Sequence, residues 1–172
     1  MEVILNDANI LIDLYRAGIL PYCKLLNLKF CTLDVIIAEI KDEEQYLDVQ
    51  KIIDEGTLAV YSLTGKQVGI VVQKVAEYKG QCNLSAIDIS ALVFAKDNNC
   101  RLITGDKKLR KKAILENVIV SGVLFITDTM IEEKVVSNDE MVAVLERLLS
   151  TNERLPRNLI NERIEALKSQ QE

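Results

Sequence analysis

The 172-residue chain is 49% apolar and 27% charged with a formal net charge of −5, a balance that fits one globular domain with a proper core and excludes a disordered chain. It contains no histidine, which excludes Ser-His and Cys-His nucleophile pairs and imidazole acid–base chemistry. The acidic balance argues against non-specific coating of DNA, which needs a broad basic surface, but is compatible with a hydrolase whose acids hold a divalent cation.

Apolar periodicity alternates between strand and helix along the chain. "EVIL" (Glu2–Leu5) is a short buried strand, followed by a helix over about Ala8–Arg16. "GILPYCKLLNL" predicts a second helix with Pro21 in its first turn, where the missing N–H costs little. "KFCTL" (Lys29–Leu33) is a strand, and Asp34 is expected to cap a long helical stretch from Val35 to about Glu55, broken near Asp42–Glu43 and ended by Gly56. A strand at Leu58–Leu63 leads into helices at about Lys66–Lys79 and Ser85–Asp97, separated by the turn-like "KGQCN". A strand at Arg101–Thr104, a short helix at Lys107–Glu116 and a strand at Val118–Ser121 follow. The rest reads as helix: about Leu124–Lys134, Asp139–Leu149 capped by Asn138, and Asn158–Lys168.

Such alternation implies right-handed β-α-β units and a three-layer α/β/α sandwich around a central parallel sheet of four to five strands, with extra C-terminal helices. The expected division is a domain over 1–131 and a helical extension over 132–172 packed on it. The extension's apolar stripes, Met141/Val144/Leu145/Leu148 and Leu159/Ile160/Ile164/Leu167, are expected to pack on the chain's own core, with a second copy or a captured partner helix as the alternatives. No apolar run approaches the ~20 residues of a membrane helix. "MEVILND" has no basic region, so no secretory signal is expected and the cytoplasm is the expected location. Cys23, Cys31, Cys82 and Cys100 lack C-x-x-C spacing and read as buried free thiols rather than zinc ligands.

In a parallel sheet, function gathers beyond the carboxyl ends of the strands. The first strand ends at Asn6-Asp7 and the fourth at Thr104-Gly105-Asp106. If these strands are neighbours their ends lie about 5 Å apart, and two aspartates there repel unless a cation sits between them. Hard divalent ions want such oxygen ligands. Two helical carboxylates can join them: Glu39, on the flank of the Ile36–Ile40 stripe and expected to be half buried, and Asp88, in the first turn of an apolar helix. Taken alone, Asp7 and Asp106 read as helix caps, Asp88 as part of an S-x-x-D cap with Ser85, and Glu39 as surface. Capping explains single positions, not four acids at one edge of one sheet.

These segments, "NDANILIDL" with Asp7 and Asn9, "DVIIAEI" with Glu39, "LSAIDISALVFAK" with Asp88 and "RLITGDKKLRKKA" with Asp106, resemble in order and spacing a PIN domain over about residues 1–125. Well-known members are the toxin ribonucleases of VapBC-type toxin–antitoxin pairs. The resemblance implies Mg²⁺- or Mn²⁺-dependent cleavage of RNA, leaving a 5′-phosphate and a 3′-hydroxyl. It implies Asp7, Asp88 and Asp106 as metal ligands, with Glu39 a ligand or the group that orients the attacking water. Asn9, Ser85 and Thr104 would support them, Asn9 by holding Asp7. Where many members carry a second acid near the fourth motif, this chain has Gly105 and Lys107, so one ion and two both stay open.

The cationic block Lys107, Lys108, Arg110, Lys111 and Lys112 follows a proposed ligand directly, and the first four are the candidates for holding RNA phosphates. The ordinary reading of such a run is a solvated helix face. The implied partners are RNA, an antitoxin protein and a possible homodimer. Two alternatives stand beside a metal-dependent ribonuclease. One is a PIN-like scaffold or RNA-binding module without catalysis. The other is a phosphoryl-accepting receiver-like domain, disfavoured because "LAVYSLTGK" offers no aspartate at the end of its third strand.

Overall fold

The computed structural model describes residues 1–79 and 83–169. Strand β1 (Glu2–Asn6) forms the middle of an all-parallel five-stranded sheet of order β3-β2-β1-β4-β5, with β2 at Leu28–Leu33, β3 at Leu58–Tyr61, β4 at Arg101–Ile103 and β5 at Val120–Ser121. The helices are α1 (Ala8–Arg16), α2 (Asp34–Ile37), α3 (Glu43–Asp54), α4 (Gly65–Tyr78), α5 (Ala86–Asp97), α6 (Lys107–Leu115), α7 (Val123–Glu132), α8 (Asn138–Thr151) and α9 (Arg157–Ser169). The expected three-layer sandwich is the fold observed. The central strand is apolar on both faces, with Ile4 and Leu5 fully buried, as a strand covered by helices on both sides must be.

Several expected elements differ in detail. The segment read as a second helix is a 3-10 helix, Leu20–Leu25, with Pro21 in its first turn. The long helical stretch after β2 is two helices, with α3 starting at Glu43 where a break is expected and the break opening earlier, after Ile37. The amide of Glu39 bonds Ile36 O at 3.0 Å and that of Ile40 bonds Ile37 O at 3.1 Å, tightening the chain into a turn that buries Ile40. Asp42 then caps α3 through the Gln45 amide. Asp34 is the first residue of α2 rather than its cap. Its carboxylate accepts from the Val35 amide at 2.7 Å and from Ser62 Oγ at 2.5 Å, clipping the end of β2 to the residue after β3. Ser137, not Asn138, caps α8, in a reciprocal pair with Glu140. The turn read at "KGQCN" falls partly on residues 80–82, outside the described residues, as does Cys82; Cys23, Cys31 and Cys100 are buried free thiols.

Helices α8 and α9 pack into the main core. Met141, Val144, Leu145, Leu148, Ile160, Ile164 and Leu167 are all buried there, which leaves neither stripe free to capture a partner; only Leu159 stays at the surface. Arg163 ties α9 to α7 through a two-pronged contact with Asp128, 2.7 Å at each prong. No described helix is long and apolar enough to cross a membrane.

Candidate functional site

The chain runs outward from β1 to β2 and β3, then crosses back to β4 on the other side of β1. That reversal opens a crevice at the carboxyl ends of β1 and β4, the place where ligands bind in open parallel sheets. Asn6 pairs with Ile103, and the Asp7 amide bonds Ile103 O at 3.1 Å, so Asp7 and Thr104 leave the sheet side by side.

Asp7 occupies the cap position of α1 but makes no cap bond there; its carboxylate, almost fully buried, accepts from Thr104 Oγ1 at 2.9 Å. Burial pushes this carboxyl above its usual range. The Thr104 hydroxyl and the Ala8 amide counter that, while the negative charges of Asp88 and Asp106 push it further up. Thr104 Oγ1 also accepts the Asp106 amide at 3.1 Å, so one hydroxyl braces two of the four acids.

Asp106 caps α6: Oδ1 accepts from the amides of Lys108 at 2.8 Å and Leu109 at 2.7 Å. Asp88 forms the reciprocal cap with Ser85: its Oδ2 accepts the Ser85 amide at 2.7 Å, and its own amide bonds Ser85 Oγ at 3.0 Å. The ordinary capping reading is thus correct for both, and it uses one oxygen of each. Asp88 Oδ1 and Asp106 Oδ2 take no hydrogen bond from the described residues.

Glu39 lies in the turn after α2, not within a helix, and is exposed rather than half buried. Its carboxyl is nevertheless raised, by partial desolvation first and then by the charges of Asp7 and Asp88. Folding therefore brings the charges of Asp88 and Asp106 close enough to raise the Asp7 carboxyl, and those of Asp7 and Asp88 close enough to raise Glu39. Asn9 does not hold Asp7: it is exposed on α1, and Thr104 makes that contact instead.

The donor set fits a hard, oxygen-seeking cation in charge and chemistry. Among the described residues no three carboxylates stand together as a set that could hold a metal ion. Two supporting residues are not evident as such from the sequence. Asn6 is fully buried and donates from Nδ2 to Cys31 O at 3.2 Å, while its own carbonyl accepts from the buried Thr32 Oγ1 at 2.9 Å. These bonds lock the ends of β1 and β2 directly behind Asp7. The available signal is a polar residue inside an otherwise apolar strand, in "EVILN" and again in "FCTL". The Asn6 Oδ1 atom is buried without a partner among the described residues.

Beside the acids, Lys107, Lys108, Arg110 and Lys111 are exposed on α6 and form no ion pair among the described residues. Lys112 is different. It lies 3.8 Å from the centre of the Tyr78 ring and 3.9 Å from Glu116, in a network joining α4 to the end of α6.

Comparison with known proteins bears on the family and the fold. A family model described as a PIN domain matches residues 3–169, past the end of the four motifs and through α9. Among solved structures, VapBC2 from Rickettsia felis, bound to a DNA fragment from its promoter, matches at TM-score 0.50 and 15% identity over 70% of this chain and 98% of the other. FitAcB from Neisseria gonorrhoeae matches at TM-score 0.47 and 14% identity over 70% and 98%. A PilT N-terminus domain protein from Sulfolobus solfataricus P2 matches at TM-score 0.43 and 16% identity over 76% and 92%. No curated protein matches the chain.

Proposed function

Because the chain belongs to the PIN-domain family, we propose that it is a divalent-metal-dependent ribonuclease that hydrolyses RNA phosphodiester bonds and serves as the toxin of a toxin–antitoxin pair. The observation that carries this reading is that strand pairing sets Asp7 beside Thr104, whose hydroxyl braces both Asp7 and Asp106. The charges of Asp88 and Asp106 are near enough to raise the Asp7 carboxyl, and those of Asp7 and Asp88 to raise Glu39. Structure alone gives no reason to gather four acids there, whereas Mg²⁺ or Mn²⁺ offsets their charge.

Asp7, Asp88 and Asp106 would hold the ion, which when bound lowers the pKa of a water and neutralises charge on the phosphate. Thr104 fixes the Asp7 carboxylate, and the backbone caps fix one oxygen each of Asp88 and Asp106. Glu39, whose raised carboxyl favours accepting a proton, orients the attacking water. The water oxygen bonds to phosphorus, the bond from phosphorus to O3′ breaks, and the departing O3′ takes up a proton, leaving a 5′-phosphate and a 3′-hydroxyl. Lys107, Lys108, Arg110 and Lys111 hold phosphates flanking the scissile bond. The antitoxin partner rests on the resemblance to VapBC-type toxins.

Incubating the purified protein with structured RNA and Mn²⁺ tests the reading. The expected result is cleavage by wild type and its loss in Asp7→Asn and Asp88→Asn. That no three carboxylates among the described residues stand together as a set that could hold a metal ion favours a second reading, a PIN scaffold without catalysis. Equal turnover by all three proteins, or none by any, would select it.

A further inference from the structure

The cations of α6 stand on the β4 side of the acids, because α6 opens at Asp106, just after β4. On the other side the sheet ends in β2 and β3, and there its carboxyl edge carries Tyr61. Leu5 pairs with Cys31 and Leu33 with Tyr61, so carrying the first register two residues further sets Asp7 and Tyr61 at one level of the sheet. Two strand spacings put their backbones about 10 Å apart. Helix α5 gives an independent placement. The Tyr61 ring lies 5.5 Å from that of Phe94, inclined by 32°, and Phe94 is about 9 Å further along α5 than Asp88. Tyr61 is also held in place. Buried Phe94 backs one side of its ring, and the next residue, Ser62, is clipped to Asp34. Even so, Tyr61 is 48% exposed. A large ring that is already fixed loses little freedom when something packs against it.

We propose that Tyr61 is a stacking platform for an unpaired base of the RNA. The substrate is then a single-stranded segment that crosses the carboxyl edge of the sheet, from the α6 cations, over the acids, to β3. The inference takes RNA as its ligand from the reading above and adds the class of RNA that the site accepts. Every base has a π-face, so an aromatic platform tolerates any sequence. What it selects is an unpaired base, because a base inside a duplex is already stacked on both faces and has none to offer. The cations and the ring divide the work. Lys107, Lys108, Arg110 and Lys111 attract the backbone on one side of the acids, and Tyr61 holds a base a few nucleotides away on the other.

The chain contains no tryptophan, so Tyr61→Trp supplies a single fluorescent reporter at the platform. Combined with Asp7→Asn, so that bound RNA stays intact, it is titrated with a short unpaired RNA and with the same RNA annealed to its complement. The expected result is quenched tryptophan emission with the unpaired strand and none with the duplex. In the same Asp7→Asn background, Tyr61→Ala should weaken binding of the unpaired strand by about 5- to 150-fold, the worth of one stacked base. Tyr61→Phe, which keeps the ring, should leave it unchanged. No quenching by the unpaired strand, equal quenching by the duplex, or undiminished binding by Tyr61→Ala would overturn the proposal. The readout is separate from hydrolysis. Quenching by the unpaired strand, with no cleavage by wild type in Mn²⁺, would keep the platform and dismiss the ribonuclease reading.

Discussion

The Thr104 hydroxyl donates to the Asp7 carboxylate at 2.9 Å and accepts the Asp106 amide at 3.1 Å, so the two acids at the carboxyl ends of β1 and β4 are positioned by a single side chain. Thr104→Val keeps the shape and removes both bonds. The buried Asp7 carboxylate then loses its principal donor, at a cost of about 1–3 kcal/mol, and its carboxyl is expected to titrate still higher. Urea unfolding and a carbon-detected NMR titration of Asp7 read the two effects separately.

Asp7 itself costs stability. Its folded-state carboxyl is raised, so stability present below the unfolded value of about 3.9 is lost as pH rises through the folded value. Asp7→Asn is therefore expected to melt higher than wild type at pH 7 without divalent ions. The gain should shrink toward zero as pH falls below the unfolded value. Thermal melts across that range test the sign, and a wild type that melts higher at pH 7 would refute it.

The sequence shows the acids but not how they are held. Asp7 and Asp106 are legible because each ends a strand and opens a helix, and the alternation of elements places those strands in one sheet. The turn at Glu39 is not legible. Ile36, Ile37 and Ile40 continue a helical stripe in the letters, while the chain itself tightens after Ile37 to bury Ile40. Asn9 looks like a holding residue because it lies two after Asp7. The first turn of α1 points it to solvent, and the contact passes instead to a threonine 97 positions away in the chain. Only strand pairing brings Thr104 to Asp7, and no local pattern in the sequence encodes that.

Glu116 anchors the side of the molecule away from the crevice. Desolvation pushes its carboxyl up, but Lys96 at 2.6 Å, the Tyr78 hydroxyl at 2.6 Å and Lys74 at 2.9 Å outweigh it and hold the carboxyl at about 2. Its contribution is present above the ordinary value of 4.5 and is lost as pH falls toward about 2. Glu116→Gln is expected to destabilise the fold by about 1–3 kcal/mol at pH 7, with the difference fading across that window. Denaturant melts at pH 7, 4 and 3 measure it.

The exposed cations of α6 give a salt signature. If Lys107 and Lys111 contact phosphates, replacing each by alanine should raise KM for RNA with kcat little changed. Each replacement should also flatten the dependence of log affinity on log salt by about 0.7, one contact on a single strand. Lys112→Ala should instead lower stability, since Lys112 lies over the Tyr78 ring.

The central claim, that distant carboxylates form one cation site at the end of the sheet, is tested most directly by calorimetric titration of Mn²⁺ into wild type, Asp7→Asn and Asp106→Asn. Saturable binding by wild type, sharply weakened in both variants while their folds persist, is the predicted result. Binding of equal strength in all three, or none in wild type, would contradict it.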